Sequence, residues 1–252
     1  MLIINCVNIT TLDAVAYRLF RNEISEERRR KADLFRFIDD SKRCVCAELL
    51  LRYSLFQAVG RLDEPEIVFN EFGKPYLNHI KGFSYNLSHS GKWVVIAYGR
   101  TEIGIDIEKI QTVEENIFDR YFTEEEINYI RTTVEKEHKK RFTQIWTLKE
   151  SYIKYLGTGL STELHSFSVN ALEGVVRDQA DGNPKGLKLK SYLFDTDYYL
   201  SVCSIEEEVR ISEVTLKDLS DIYLRQPRQR AGGCLNTCPT PKGKRVVHAS
   251  SR

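Results

Sequence analysis

Apolar and polar positions alternate along parts of this chain with a period of two and along others with a period near three and a half, the marks of strands and helices. Residues 2–9 form a short apolar strand candidate, and 11–21 read as a helix. Ser25 precedes two acids and then a basic run, which predicts a second helix with its acids at the positive end of the dipole. From Asp39 or Asp40 to Val59 the residues Val45, Leu49, Leu50, Tyr53 and Phe56 make a helical stripe, stopped by Gly60. A strand is expected over 66–70, then a turn over 71–75. Residues 83–87 and 93–99 read as a hairpin joined by the loop 88–92, and strand 94–99 is expected to pair with 103–108 across 99–102. Residues 109–122 read as a linker with Phe118, Tyr121 and Phe122 free for a core or a partner. Thr123 and Glu126 form a capping box for a helix through Ile130. A charged connection over 136–141 leads into a helix over 141–156. Strands at 166–170, 187–194 and 198–204, with a turn at 195–197 and an exposed loop at 181–184, precede a closing helix or turn over 214–224.

The candidate chemistry lies on the strand Ile-Gly-Ile-Asp-Ile-Glu over 103–108. Gly104, Asp106 and Glu108 share one face and three isoleucines the other. Two carboxylates about 7 Å apart on one face repel unless a cation lies between them. Hard oxygen ligands favour Mg²⁺, Mn²⁺ or Ca²⁺ over zinc. Acids facing water on a half-exposed strand are the commoner case. A second segment, 146–160, changes the balance: Trp146, Glu150 and Lys154 fall on one helical face before Gly157.

These two segments, with Phe72-Gly-Lys-Pro-Tyr76 and Asn86-Leu-Ser-His-Ser90 in order before them, resemble the motifs of 4′-phosphopantetheinyl transferases of the surfactin-synthetase-activating type. The resemblance spans roughly residues 1–224. It implies an α+β pseudodimer of two similar halves, 1–108 and 109–224, each a helix on a mainly antiparallel sheet with the active site at the junction. The implied reaction moves 4′-phosphopantetheine from coenzyme A to a carrier-protein serine and releases adenosine 3′,5′-bisphosphate. Asp106, Glu108 and Glu150 would hold Mg²⁺, with Mn²⁺ as a substitute. Glu150 or a metal-held water would take the serine proton, and Lys154 would steady the phosphoryl oxygens. Arg28, Lys31, Arg43, Lys74, Ser88 and His89 would grip the nucleotide phosphates of coenzyme A. Glu126 matches a family position that its capping role already explains. A regulator or scaffold that only binds coenzyme A is the alternative.

Composition narrows the setting. At 252 residues with 42% hydrophobic content the chain can bury one large core or two modest ones. No run approaches a membrane span, no basic leader starts the chain, and six cysteines lack framework spacing, so a cytoplasmic monomer with reduced thiols is expected. Of 37 Lys and Arg, seven lie in 225–252, which hold none of the 36 Asp and Glu. That basic tail reads as a disordered or appended end rather than a nucleic-acid arm, because it lacks apolar periodicity and the body has no basic stripe. Cys234 and Cys238 lack a second ligand pair for zinc. A serine hydrolase is disfavoured too: Ser88 and His89 are adjacent on extended backbone and no G-x-S-x-G elbow occurs.

Overall fold

The computed structural model describes residues 1–60, 64–111, 118–178 and 186–224. The expectations for the loop at 181–184 and the tail at 225–252 lie outside those residues. The order of elements repeats. Strand β1 (Leu2–Asn8), helices α1 (Ala14–Arg21), α2 (Glu26–Asp33) and α3 (Ile38–Val59), and strands β2 (Ile67–Phe69), β3 (Pro75–Leu77), β4 (Ser84–Ser90) and β5 (Trp93–Gly99) make the first half. Strand β6 (Ile103–Lys109), helices α4 (Phe118–Tyr121), α5 (Glu124–Arg131) and α6 (Glu135–Leu156), and strands β7 (Phe167–Asn170), β8 (Val175–Asp178), β9 (Lys188–Phe194) and β10 (Tyr198–Ser204) repeat it. Strand β11 (Val209–Glu213) and helix α7 (Leu216–Tyr223) are appended.

Pairing follows the same plan twice. β1 is antiparallel to β5, which is antiparallel to β4, and β6 stands in the same relation to β10 and β9. Each half has one 22-residue helix, α3 or α6, ended by a glycine in the left-handed region, Gly60 at φ 71° and Gly157 at φ 72°. The pseudodimeric α+β architecture is therefore directly visible. β11 adds parallel to β1, and α7 packs its Leu219, Ile222 and Tyr223 into the first half, where the Tyr223 hydroxyl donates to the Leu49 carbonyl at 2.7 Å. The division expected after residue 108 falls within β6, which pairs with the second half.

Three apolar clusters fill the layers. The first lies between α3 and one face of the first sheet, around Val45, Leu49, Val94 and Ile96. The second lies between the sheets, where Ile103, Ile105 and Ile107 meet Leu2, Ile4, Val95 and Ala97. The third lies between α6 and the outer face of the second sheet, and it takes in Phe118 and Phe122 of the expected linker.

Several local expectations change. The 94–99/103–108 hairpin does not form, because the isoleucine face of β6 is buried between the sheets while its backbone pairs with β10. Ser88 and His89 belong to β4, and only Gly91 and Lys92 turn the hairpin. Helix α6 starts at Glu135 rather than 141: its charged first turns lie along the surface, and the Arg141 guanidinium donates to the Tyr129 carbonyl at 2.5 Å. β3, β8 and β11 lie where the sequence pattern predicts no strand.

Candidate active site

Gly104 lets β6 and α6 touch. A Cβ there would stand 1.9 Å from the Ser151 carbonyl oxygen and 2.4 Å from the Tyr155 nitrogen, both backbone atoms of α6. The strand's polar face therefore lies directly against the helix, and two residues further on Asp106 meets Lys154, one helical turn beyond Glu150. The expected face sharing thus becomes a contact between the two segments.

Asp106 is 3% exposed. Its Oδ1 accepts from the Lys154 ammonium at 2.7 Å and from the Ser88 hydroxyl at 2.8 Å. Its Oδ2 is buried and has no hydrogen-bond partner among the described residues. A buried carboxylate oxygen without a donor is costly, and a cation is the natural partner. Glu108 accepts from the Ser90 hydroxyl at 2.7 Å. Burial first, and then the charge of Asp106, push the Glu108 carboxyl above its usual range. The same two causes in the same order raise Glu150, and Lys154 opposes them.

The three carboxylates do not make a closed cage. Among the described residues no group of three His, Cys, Asp or Glu stands close enough to enclose a metal ion. Mg²⁺ does not need one, since it keeps several waters and binds through one or two carboxylates plus substrate phosphates. The unpartnered Asp106 oxygen and the all-oxygen donor set fit such an open site.

The raised carboxyls have a consequence for stability. Glu108 and Glu150 keep their protons to higher pH in the folded protein than in the unfolded chain, where the value is near 4.5. Their contribution is fully present below about 4.5 and is lost as pH rises through the raised folded values. Without divalent ions, the wild type is expected to lose melting temperature across that window. A Glu108→Gln/Glu150→Gln variant is expected to lose less, and parallel curves would refute the assignment.

The basic residues split into two groups. His89 is exposed on β4; partial burial of its ring, then the charges of Arg43 and Lys154, hold its imidazole below the usual range. Arg43 donates to the Gly91 carbonyl at 2.5 Å and pairs with Asp40. Arg28 lies 3.8 Å from Glu48, and exposed Lys31 follows one turn later on α2. Arg28 and Lys31 both act electrostatically on Cys44, the residue after Arg43, so α2, α3 and β4 share a basic region.

Lys74 and Ser88 have other partners than the phosphates expected of them. The Lys74 ammonium donates to Glu102 at 2.8 Å, to the Tyr155 carbonyl at 3.0 Å and to the Ile103 carbonyl at 3.4 Å, which uses its three N–H groups. It clamps the turn before β3 to the start of β6 and the last turn of α6. The Ser88 hydroxyl donates to Asp106 and accepts from Lys154 at 3.1 Å and from the Ile107 amide at 3.3 Å, which fills it.

A cavity of about 600 Å³ opens beside these groups, lined among others by Pro75, Leu87, Tyr121, Glu150, Ile153 and Lys154. A smaller hollow of about 390 Å³ joins Glu108 to Tyr121 and Trp146. Tyr121 lines both and meets Trp146 edge to face at 5.6 Å.

One functional-looking pair was missed in the sequence. Lys149 and Glu126 are 0% exposed and bonded through both carboxylate oxygens at 2.7 and 2.8 Å. Lys149 also donates to the Phe167 carbonyl at 2.7 Å, and Glu126 accepts the Thr123 and Val169 amides. Burial lowers the Lys149 ammonium from its ordinary value while Glu126 opposes the shift. The pair ties α5 and α6 to β7 and has no contact with Asp106. The capping box gave a hint of Glu126; nothing in the local sequence marks Lys149 as buried.

Comparison with known proteins agrees with this geometry. Residues 14–101 match the family model described as 4′-phosphopantetheinyl transferase, N-terminal, and residues 102–203 match that of the 4′-phosphopantetheinyl transferase superfamily. The boundary between the two matches coincides with the start of the structural repeat at β6. The chain is 34% identical over 188 residues to 4′-phosphopantetheinyl transferase Sfp of Bacillus subtilis, covering 73% of this chain and 84% of that protein. It is 29% identical over 220 residues to the transferase gsp of Aneurinibacillus migulanus, covering 84% and 91%. A mouse protein, L-aminoadipate-semialdehyde dehydrogenase-phosphopantetheinyl transferase, is 30% identical over 171 residues, covering 61% and 55%. With its motifs, its duplicated α+β fold and these matches in agreement, the chain belongs to the 4′-phosphopantetheinyl transferase family.

Proposed function

We propose that this enzyme transfers 4′-phosphopantetheine from coenzyme A to a serine of a carrier-protein domain, using Mg²⁺ and releasing adenosine 3′,5′-bisphosphate. The observation that carries the reading is the unpartnered Asp106 oxygen, buried beside Lys154 at the contact of β6 and α6. Asp106, Glu108 and Glu150 are the residues that would hold the metal, which when bound offsets charge on the pyrophosphate. Arg28, Lys31, Arg43 and His89 form the basic region suited to the nucleotide phosphates, and a phosphate beside His89 would favour its cationic form.

In the transfer, the serine oxygen bonds to the phosphorus that carries pantetheine while the bond to the leaving bisphosphate breaks. That bond pair leaves with the bisphosphate. Glu150, which lines the cavity beside Lys154, or a water held by the metal would accept the serine proton. The positive charge of Lys154, beside Asp106, would offset charge on the phosphoryl oxygens. No helix among the described residues is long and apolar enough to cross a membrane.

The test is a panel of apo-carrier domains incubated with coenzyme A and Mg²⁺, each followed by intact mass. Gain of one phosphopantetheinyl group on at least one carrier, abolished by EDTA, is the expected result. Tight coenzyme A binding with no carrier modified would overturn the proposal and leave a nucleotide-binding regulator.

A further inference from the structure

Among the described residues β6 has an ordinary backbone neighbour on one side only. On that side it pairs with β10 from Ile103 to Lys109. On the other, the amides of Ile105, Ile107 and Lys109 point toward β4, and side chains of β4 receive them. Asn86 Oδ1 accepts Ile105 N–H at 2.9 Å, Ser88 Oγ accepts Ile107 N–H at 3.3 Å, and Ser90 Oγ accepts Lys109 N–H at 3.1 Å. The spacing is that of one strand face, every second residue. Two of the rungs also hold the acids of the site, since Ser88 donates to Asp106 and Ser90 to Glu108.

We infer that Ser90 is a positioning residue for the transfer: with Asn86 and Ser88 it forms a side-chain ladder that sets the height of Asp106 and Glu108 against α6. A backbone pairing here would bring β4 itself against the strand. The short polar side chains instead hold β4 back and leave room for their hydroxyls beside the carboxylates. Loss of the Ser90 rung frees the Lys109 amide and lets Glu108 move, and loss of the Asn86 rung frees the Ile105 amide alone, while the basic side chains on α2 and α3 are untouched. The kinetic part of this inference rests on the function proposed above; the ladder does not.

The test compares Ser90→Ala, Ser90→Thr and Asn86→Leu with the wild type in the full-length protein. Partners that orient metal ligands typically matter about 10- to 100-fold. Ser90→Ala is expected to lower kcat at least about tenfold with KM for coenzyme A within about twofold, and to weaken Mn²⁺ binding, read from the free-ion electron paramagnetic resonance signal, by about tenfold. Ser90→Thr keeps the hydroxyl and is expected to restore both. In Asn86→Leu, hydrogen exchange at the Ile105 amide is expected to speed up at least about tenfold. A Ser90→Ala variant with kcat and Mn²⁺ affinity near wild type overturns the positioning role, as does a Ser90→Thr variant no better than alanine. If the wild type neither binds Mn²⁺ nor loads a carrier, the proposed function fails, and the exchange experiment still decides the ladder: unchanged Ile105 exchange overturns it.

Discussion

Asp106→Asn is expected to reduce carrier loading on the order of 10²- to 10³-fold, the usual cost of removing one preorganised charge from a transfer site, with no loss of thermal stability. The reason is that Asp106 works against the fold. It is buried, one of its oxygens has no partner, and its charge adds to the burial that raises Glu108 and Glu150. An amide of the same shape still accepts from Ser88 and Lys154 while relieving that repulsion. The check pairs single-turnover loading, read by mass, with a thermal melt in EDTA. Loading within about tenfold of wild type would show that the carboxylate does not hold the cation that offsets charge on the phosphates. A large drop in melting temperature would show that Asp106 is a structural ion-pair partner of Lys154 instead.

The second large effect is on folding. Lys149→Met is expected to cost about 3–5 kcal/mol, because it leaves the Glu126 carboxylate buried with no counter-charge. That is a substantial part of the roughly 5–15 kcal/mol by which domains are stable. The two amides that Glu126 accepts, from Thr123 and Val169, would remain. The double variant Lys149→Met/Glu126→Gln is expected to regain part of the loss, since no charge is then stranded. Urea unfolding with matched slopes measures both. A single-variant cost below about 1 kcal/mol would mean that water reaches Glu126 or that the carboxyl takes up a proton at little cost.

These two carboxylates show what could be read from the sequence. The alternation in 103–108 assigns Asp106 and Glu108 to one face, and the spacing of Glu150 and Lys154 assigns them to one helical stripe. The caps were equally local: Ser25 accepts the Arg28 amide, and Gly60 and Gly157 end the two long helices. The partner of β6 could not be read this way. Alternation tells which residues share a face but not which strand lies alongside, and residues 99–102 had the look of a tight turn. The partners of Lys149 and Lys74 escaped for a related reason. A lysine's counter-charge is not legible locally when it is distant in sequence, and Glu126 is 23 positions from Lys149 while Glu102 is 28 from Lys74. The resemblance implies Ser88 as a phosphate ligand; its saturation by Asp106, Lys154 and Ile107 depends on β6 and α6 both meeting β4. β11 is five residues long with two charged side chains, and its strand identity comes only from β1 beside it.

That last pairing matters during synthesis. Leu2 through Cys6 find their outer neighbours at Val209 through Glu213, so β1 leaves the ribosome long before the strand that covers its outer edge. Until then a nascent first half presents an apolar ribbon with open N–H and C=O groups to its surroundings, a template for mispairing with other chains. Splitting this gene product between its repeats would make that transient hazard permanent, and a soluble N-terminal piece would need a substitute for its missing last strand.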